Sequence, residues 1–250
     1  MTSALSVQKS ARGSRTVLAG MARQPSAITI DALGTLLELL PPAPRLRAGL
    51  RERFGLDVSD AEAGRAMRAE IGFYRAHLHL GRDQAGLDEL RRRCAEVLRD
   101  ALAAPQLDLD AVTEVLLAAI RFEPYPDAVP ALGALRAAGL RLVAASNWDV
   151  SVHEQLERTG LRPLLDGAVS SAEVGAAKPD PAILLRALEI AGARPGDAWH
   201  VGDDLEADVG GARAAGIRPV LVDRDGGLRA PPGVPVVAAL DQLGAVVGSP

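Results

Sequence analysis

Six short apolar runs constrain the fold of this chain more than any other feature. Several are nearly continuous Val, Leu, Ile and Ala, which is typical of strands covered on both faces in a parallel sheet. Helical stretches separate the runs and end at glycines such as Gly160 and Gly192. The alternation predicts an α/β fold with a doubly wound, mainly parallel, Rossmann-like sheet. The six predicted strands cover residues 27–30, 140–146, 167–171, 198–202, 218–222 and 234–239.

The long gap between the first and second runs has a helical pattern instead. Its apolar residues recur at helical spacing, and one helix is predicted to open with a Ser59–Glu62 capping box. We predict an all-helical insert, the cap, over residues 43–121, with the α/β core formed by residues 26–42 and 122–250. The proline-rich segments 41–44 and 123–128 are interpreted as hinges of a lid over the strand ends. A second capping box is predicted later in the chain, at Ser151 and Glu154.

Residues 1–25 differ from the rest of the chain. They contain basic residues, no acidic residue and no continuous apolar segment, so they are predicted to form a disordered tail and not a secretory signal. Met21 offers an alternative start, and the sequence leaves open whether residues 1–20 belong to the native protein.

Composition and charge exclude several classes of partner. The net charge of −4 and the absence of a basic stripe with interleaved aromatics argue against nucleic acid. No apolar run approaches the roughly 18–20 residues of a membrane span. Cys94 is the only cysteine, which excludes an internal disulfide and suits a reducing cytoplasm. We therefore predict a cytoplasmic protein with a small-molecule partner, and its oligomeric state is left open.

Polar residues follow the predicted strands at the ends where a parallel sheet binds its ligands. Paired carboxylates there can hold a hard cation such as Mg²⁺ through oxygen ligands. A lysine and a hydroxyl can position a phosphoryl group, and an aspartate can attack it. These residues are Asp31 and Thr35 after the first strand, Ser146 and Asn147 after the second, Lys178 after the third, and Asp203, Asp204 and Asp208 after the fourth.

This set of residues, in this order, resembles the haloacid dehalogenase superfamily, in its branch with a helical C1 cap after the first motif. Residues 31–35 match motif one, Ser146 motif two, Lys178 motif three and residues 201–208 motif four. The resemblance spans about residues 26–240 and implies an aspartyl-phosphate mechanism on a small phosphorylated metabolite, with Mg²⁺ as cofactor.

The resemblance also implies a role for each matching residue. Asp31 would be the nucleophile, and Thr35 would orient its loop. Ser146, Asn147 and Lys178 would bind the phosphoryl group. The metal would be held by three groups with support from two more carboxylates: the Asp31 carboxylate, the backbone carbonyl of Leu33 and Asp203, supported by Asp208 and Asp204.

Leu33 is the departure from the family pattern. Phosphatases of the family carry a second Asp at this position, which protonates the leaving oxygen and then activates water. A leucine side chain can do neither, although its backbone carbonyl can still face a metal. Loss of a general acid costs about 10²- to 10⁴-fold in rate, and least for substrates with good leaving groups.

Three functions are compatible with this sequence. The first is a Mg²⁺-dependent phosphohydrolase with weakened acid catalysis. The second is a metal-independent dehalogenase-type hydrolase, whose halide leaves without protonation, although that branch replaces the acids that this chain retains at Asp203, Asp204 and Asp208. The third is a non-catalytic relative that binds a phosphorylated ligand or a protein.

Overall fold

The computed structural model describes residues 25–248. The predicted basic tail, residues 1–25, lies outside the described residues except for Pro25.

A six-stranded parallel sheet forms the centre of the fold. The strand order is β5-β4-β1-β6-β7-β8, and β1 lies between β4 and β6. The predicted α/β fold class is confirmed, but the last predicted strand, residues 234–239, is reduced to two residues. The strands of the described chain are β1 Ala27–Ile30, β2 Leu37–Leu39, β3 Phe122–Pro124, β4 Arg141–Ser146, β5 Gly167–Ser170, β6 Ala198–Gly202, β7 Arg218–Val222 and β8 Val236–Val237.

Strands β2 and β3 were missed by the sequence pattern. They pair antiparallel as a separate two-stranded ribbon, with Leu37 opposite Pro124. Segment 41–44 is not a free linker, because helix α1 begins at Pro42. Proline is tolerated in a first helical turn because its missing N–H would have no helical partner there. The two connections between core and insert are therefore hydrogen-bonded to each other.

Four helices lie between β2 and β3 and have a hydrophobic core of their own. That core contains Leu46 and Leu50 of the first helix, Met67 of the second, Leu98 of the third and Leu116 of the fourth. We call this helical layer the cap. Its helices are α1 Pro42–Phe54, α2 Asp60–His77, α3 Gln84–Ala101 and α4 Leu109–Ala119.

The remaining helices cover both faces of the sheet. Along β4, Leu142 and Ala144 pack with α5, α6 and α10, whereas Val143 and Ala145 pack with α8 and α9. This alternation follows from the two-residue period of strand side chains. These helices are α5 Ala128–Ala137, α6 Val152–Arg158, α7 Ser171–Val174, α8 Ala182–Ala191, α9 Gly211–Ala214 and α10 Leu243–Val247, with a π-helical segment at Leu205–Gly210.

Within residues 25–248, no helix combines the length and the hydropathy that crossing a membrane requires.

The two predicted capping boxes differ in the structure. Ser59 and Glu62 form both hydrogen bonds of the motif at the start of α2. Ser151 makes no capping bond with its side chain, so that prediction is wrong. The Ser151 backbone N–H instead donates to Asp149 Oδ1, which leads the chain into α6 by another route.

We expect Ser59→Ala to lower the free energy of unfolding by about 1 kcal/mol, because it removes a genuine cap. Ser151→Ala is the matched control and should change it by less than about 0.5 kcal/mol. Urea unfolding followed by circular dichroism measures both. Equal losses in the two variants would contradict the capping assignment.

Candidate active site

Asp31 lies directly after the central strand β1, whose pairing it extends by donating its backbone N–H to Val201 O at 2.9 Å. Its carboxylate is buried. Oδ1 accepts hydrogen bonds from Lys178 Nζ at 2.6 Å and from Ser146 Oγ at 3.1 Å. No described residue donates a hydrogen bond to Oδ2. One oxygen is thus held in place while the other is left for a ligand.

Lys178 links the carboxylates of the site. Its buried ammonium donates to Asp31 Oδ1, to Asp208 Oδ1 at 2.7 Å and to Ala145 O at 2.8 Å. The Asn147 side chain fixes the Lys178 backbone, accepting from its N–H and donating to its carbonyl. The Lys178–Pro179 peptide bond is cis. Asn147, which the sequence predicts to bind the ligand, therefore also positions Lys178.

His200 lies within the predicted strand 198–202, and the structure shows that it belongs to this network. It is fully buried on β6. Its Nε2 donates to Asp208 Oδ1 at 2.9 Å, and its Nδ1 lies 2.8 Å from Thr29 Oγ1. In the sequence, the signal for this role was its position directly before residues 201–208, which match motif four. The contact orients Asp208 toward Lys178.

Asp203 lies against the loop that follows Asp31. Thr35 Oγ1 donates to Asp203 Oδ1 at 3.4 Å. A Cβ at Gly34 would lie 2.2 Å from Asp203 Oδ2, and Gly34 has a φ of 90°. Glycine is therefore required at position 34 both for its backbone conformation and for the approach of the carboxylate.

Three carboxylates form a candidate metal site. Oxygens of Asp31, Asp203 and Asp208 lie within 4.8 Å of one another. When all three are ionised, Lys178 balances only one of them, so the cluster favours a divalent cation with oxygen ligands. Asp204 is not part of this cluster. It is exposed, and its Oδ1 accepts from the N–H groups of Glu206 and Ala207 to cap the π-helical segment.

The electrostatics follow from burial and from the central lysine. Burial raises the pKa of Asp31 to about 6, although Lys178 opposes the rise. Burial also raises the pKa of Asp203, with a further contribution from Asp208. Burial alone would raise the pKa of Asp208 as well, but Lys178 and His200 bring it below its usual range. Asp31 and Asp203, whose pKa values are raised, are therefore the carboxylates that a bound cation would stabilise in the charged form.

Arg224 is a second residue that sequence reasoning missed. It follows β7 and donates to Thr35 O at 2.8 Å and to both carboxylate oxygens of Asp127. Its guanidinium lies 3.7 Å from the centre of the Tyr125 ring. Arg224 thus ties the loop after Asp31 to the segment that returns from the cap. An isolated arginine after a strand carries no signal for such a role.

A cavity of about 270 Å³ lies beside this site, between cap and core. Leu33, two residues after Asp31, and Asn147, one residue after Ser146, both line it. The Leu33 side chain also packs against the core. The residue that departs from the family pattern is therefore a wall of the cavity, and its side chain is apolar where a phosphatase would carry an acid.

Glu70 on α2 also lines the cavity, where the other walls are mainly apolar. It is 3% exposed, and no described residue hydrogen-bonds its Oε2. Burial raises its pKa to about 7, and a hydrogen bond from the Cys94 thiol offsets part of the rise. Sequence reasoning missed Glu70 because a glutamate on an amphipathic helix is normally exposed.

A family model decides the classification. The model for haloacid dehalogenase-like hydrolases matches residues 25–216. The chain belongs to this family. Its members, described next, include both phosphatases and dehalogenases.

Two curated relatives are named for phosphatase activity. The glyceraldehyde 3-phosphate phosphatase of Methanopyrus kandleri is 36% identical over 132 residues, covering 51% of this chain and 57% of that protein. The phosphoserine phosphatase of Thermus thermophilus is 37% identical over 135 residues, covering 54% of this chain and 53% of its own length. The chain thus spans about half the length of these relatives.

Longer matches exist to a relative of less specific name and to solved structures. The mouse haloacid dehalogenase-like hydrolase domain-containing protein 3 is 31% identical over 208 residues, covering 78% of this chain and 80% of that protein. A 2-haloacid dehalogenase from Pseudomonas syringae pv. Tomato superposes with a TM-score of 0.65 at 26% identity, over 90% of this chain and 98% of that one. A phosphatase of the family from Thermococcus onnurineus shares the fold, with a TM-score of 0.61 at 24% identity, over 90% of this chain and 98% of its own.

The buried Glu70 predicts a specific pH dependence of stability. Between its usual pKa of 4.5 and its folded value of about 7, the unfolded state binds fewer protons than the folded state. Stability is therefore lost as pH rises through that window, by about 3 kcal/mol at ~1.4 kcal/mol per unit, and stays constant above it. Urea unfolding from pH 5 to pH 8 should show the advantage of Glu70→Gln over the unmodified protein growing by an amount of that order.

The exposed Glu114 on α4 provides the control, since Glu114→Gln changes the same chemistry outside the cavity. Its unfolding curve should follow that of the unmodified protein at every pH. A Glu70→Gln advantage that does not vary with pH would contradict the assigned burial.

Proposed function

We propose that this protein is a Mg²⁺-dependent phosphohydrolase that acts on a small phosphorylated metabolite through an aspartyl-phosphate, with weakened general-acid catalysis. The observation that carries the proposal is the asymmetry of Asp31. Lys178 and Ser146 hold Oδ1, whereas Oδ2 accepts no hydrogen bond from a described residue. A nucleophile needs one oxygen oriented and the other available.

Two chemical steps follow from this arrangement. In the first, Asp31 Oδ2 forms a bond to phosphorus, the bond from phosphorus to the leaving oxygen breaks, and that oxygen leaves with the electron pair. In the second, water attacks the same phosphorus, which releases phosphate and restores the Asp31 carboxylate. Lys178 contributes its charge to the phosphoryl group, and the Ser146 hydroxyl can turn from Asp31 to a phosphoryl oxygen.

The residues present fit a bound Mg²⁺. Asp31, the Leu33 carbonyl and Asp203 are the groups proposed to hold it. Both oxygens of Asp208 are engaged by Lys178, His200 and the backbone N–H of Asp204, so its proposed role is support. When bound, the ion supplies positive charge that stabilises the phosphoryl oxygens.

Leu33 limits the first step. Its side chain cannot give a proton to the leaving oxygen, so that proton must come from water. Phosphates whose leaving group is stable as an anion need no such proton. We therefore expect aryl phosphates to be turned over faster than alkyl phosphates.

Asp31→Asn should lower Mg²⁺-dependent turnover of 4-nitrophenyl phosphate by about 10³-fold or more, because the amide is not a nucleophile. Phosphate release with and without Mg²⁺ measures this loss. Asp110→Asn, an exposed change on α4, is the control and should behave as the unmodified protein. Undiminished turnover in Asp31→Asn would overturn the nucleophile assignment.

Leu33→Asp should raise kcat/KM for an alkyl phosphate far more than for 4-nitrophenyl phosphate, because it restores the missing acid. A full general-acid contribution is worth about 10²- to 10⁴-fold. Leu33→Asn introduces a side chain of the same shape as aspartate but without an acidic proton, and it should produce no such gain. Urea unfolding first establishes that each variant is folded, and equal gains on both substrates would refute the explanation.

A dehalogenase-type hydrolase is the second candidate, favoured by Leu33 and by the apolar cavity beside it. In that reaction, Asp31 would displace halide from carbon, and no proton donor would be needed. The retained Asp203 and Asp208 count against it. Metal-independent halide release from 2-chloropropionate would support this function, and inactivity in both assays would favour a binding protein.

A further inference from the structure

Glu70 is the least expected residue of the cap–core cavity. A carboxyl group that is 3% exposed normally has its oxygens satisfied by donors or by a cation. Here Oε2 has no hydrogen-bond partner among the described residues, and none of them forms a salt bridge with Glu70. Such a group destabilises the cap unless something enters the cavity and contacts it.

Three of the other charged residues that line the cavity are already engaged with one another. Arg91 and Arg158 both lie against Glu154, at 3.7 and 3.5 Å. Asp149 Oδ1 accepts from the Ser151 backbone. Among the buried side-chain atoms of the cavity wall, Glu70 Oε2 and the Tyr74 hydroxyl have no hydrogen-bond partner in the described residues. Of these two residues, Glu70 carries the carboxyl group, whose oxygen can accept from a ligand.

The position and size of the cavity suggest what that ligand is. Leu33 and Asn147 connect the cavity to the loops that carry Asp31 and Ser146, so a leaving group on a phosphoryl group at Asp31 would point toward it. Cavities of about 150 Å³ bind benzene. A volume of about 270 Å³ therefore admits a substituted ring or a group of similar size.

We propose that this cavity binds the leaving group of the substrate, an apolar group of about ring size that carries one hydrogen-bond donor, a hydroxyl or an amine, to Glu70. This inference rests on the proposed phosphohydrolase function and adds the class of substrate to it. The apolar walls provide affinity for the ring, whereas Glu70 selects among rings by the group they carry. A ring without a donor leaves Oε2 of the buried carboxyl without a hydrogen-bond partner.

Three pairs of aryl phosphates that differ in one ring substituent test the proposal: 4-methyl-, 4-(hydroxymethyl)- and 4-(aminomethyl)phenyl phosphate, each with its 3-isomer. The unmodified protein should prefer at least one donor-bearing probe over its methyl analogue by about tenfold or more in kcat/KM. Glu70→Leu should abolish that preference. Glu70→Gln should keep a preference for the hydroxyl probe and lose one for the amine, which distinguishes the two donors.

These variants are expected to fold, because both remove a buried ionisable group. Equal turnover of donor and methyl probes by the unmodified protein, or a preference that survives in Glu70→Leu, would overturn the proposal.

A second pair of variants tests whether the cavity is the binding site. Leu117 lines the cavity, whereas Leu185 on α8 does not, and each is 39% exposed. Leu117→Trp should raise KM for all aryl probes by about tenfold by filling the cavity, and Leu185→Trp should leave it unchanged. Equal effects of the two substitutions would exclude the cavity.

Failure of this proposal can be told from failure of the proposed function. If no probe is hydrolysed, calorimetry with the corresponding phenols measures the cavity alone. Tighter binding of 4-(hydroxymethyl)phenol or 4-(aminomethyl)phenol than of 4-methylphenol would then retain the site and reject the phosphohydrolase. Asp31-dependent hydrolysis without any donor preference would retain the enzyme and reject this role of Glu70.

Discussion

The ammonium of Lys178 is the interaction on which the rest of the site depends. It is buried and bonded to Asp31, Asp208 and the backbone of β4, so it brings three neighbouring strands to one point. Without this positive charge, the burial of two carboxylates side by side would be strongly unfavourable. His200 and Asn147 orient the network from either side. The arrangement explains how a carboxylate can remain in a buried place with one oxygen held and the other open.

The cap adds a different kind of environment to this charged core. The β2–β3 ribbon and Arg224 connect it firmly to the loop that follows Asp31. Leu33 of the core and Glu70 of the cap line the same cavity. Leu33 is apolar where an acid would favour phosphatase chemistry, and Glu70 is an acid where an apolar residue would favour stability. Leu33 weakens acid catalysis, and Glu70 lowers the stability of the cap. Such departures from the best local residue are expected where a chain contacts its ligand.

Much of the core could be predicted because its signals are local. The bounds of β1, β6 and β7 followed from apolar composition, and the polar residues after each strand could be placed on one edge by the rule for parallel sheets. The ribbon was missed because its strands have three residues each and include Pro124. Ser151 was predicted to cap α6 with its side chain, but its backbone N–H donates to the side chain of Asp149 instead. Asp204 is the same residue type as its neighbour Asp203, but its side chain caps the π-helical segment that follows.

The sequence by itself determined the fold class, the order of the motifs and the departure at Leu33, because periodicity and strand-end chemistry are properties of short segments. Only the tertiary structure decided which side chains meet. Arg224 joins the site through a contact across about 190 residues of chain. His200 contacts Asp208, and its other ring nitrogen contacts Thr29 across about 170 residues of chain. Glu70 becomes a buried acid only because α2 turns that position toward the core. Burial and long-range pairing depend on how elements pack, and no local pattern contains that information.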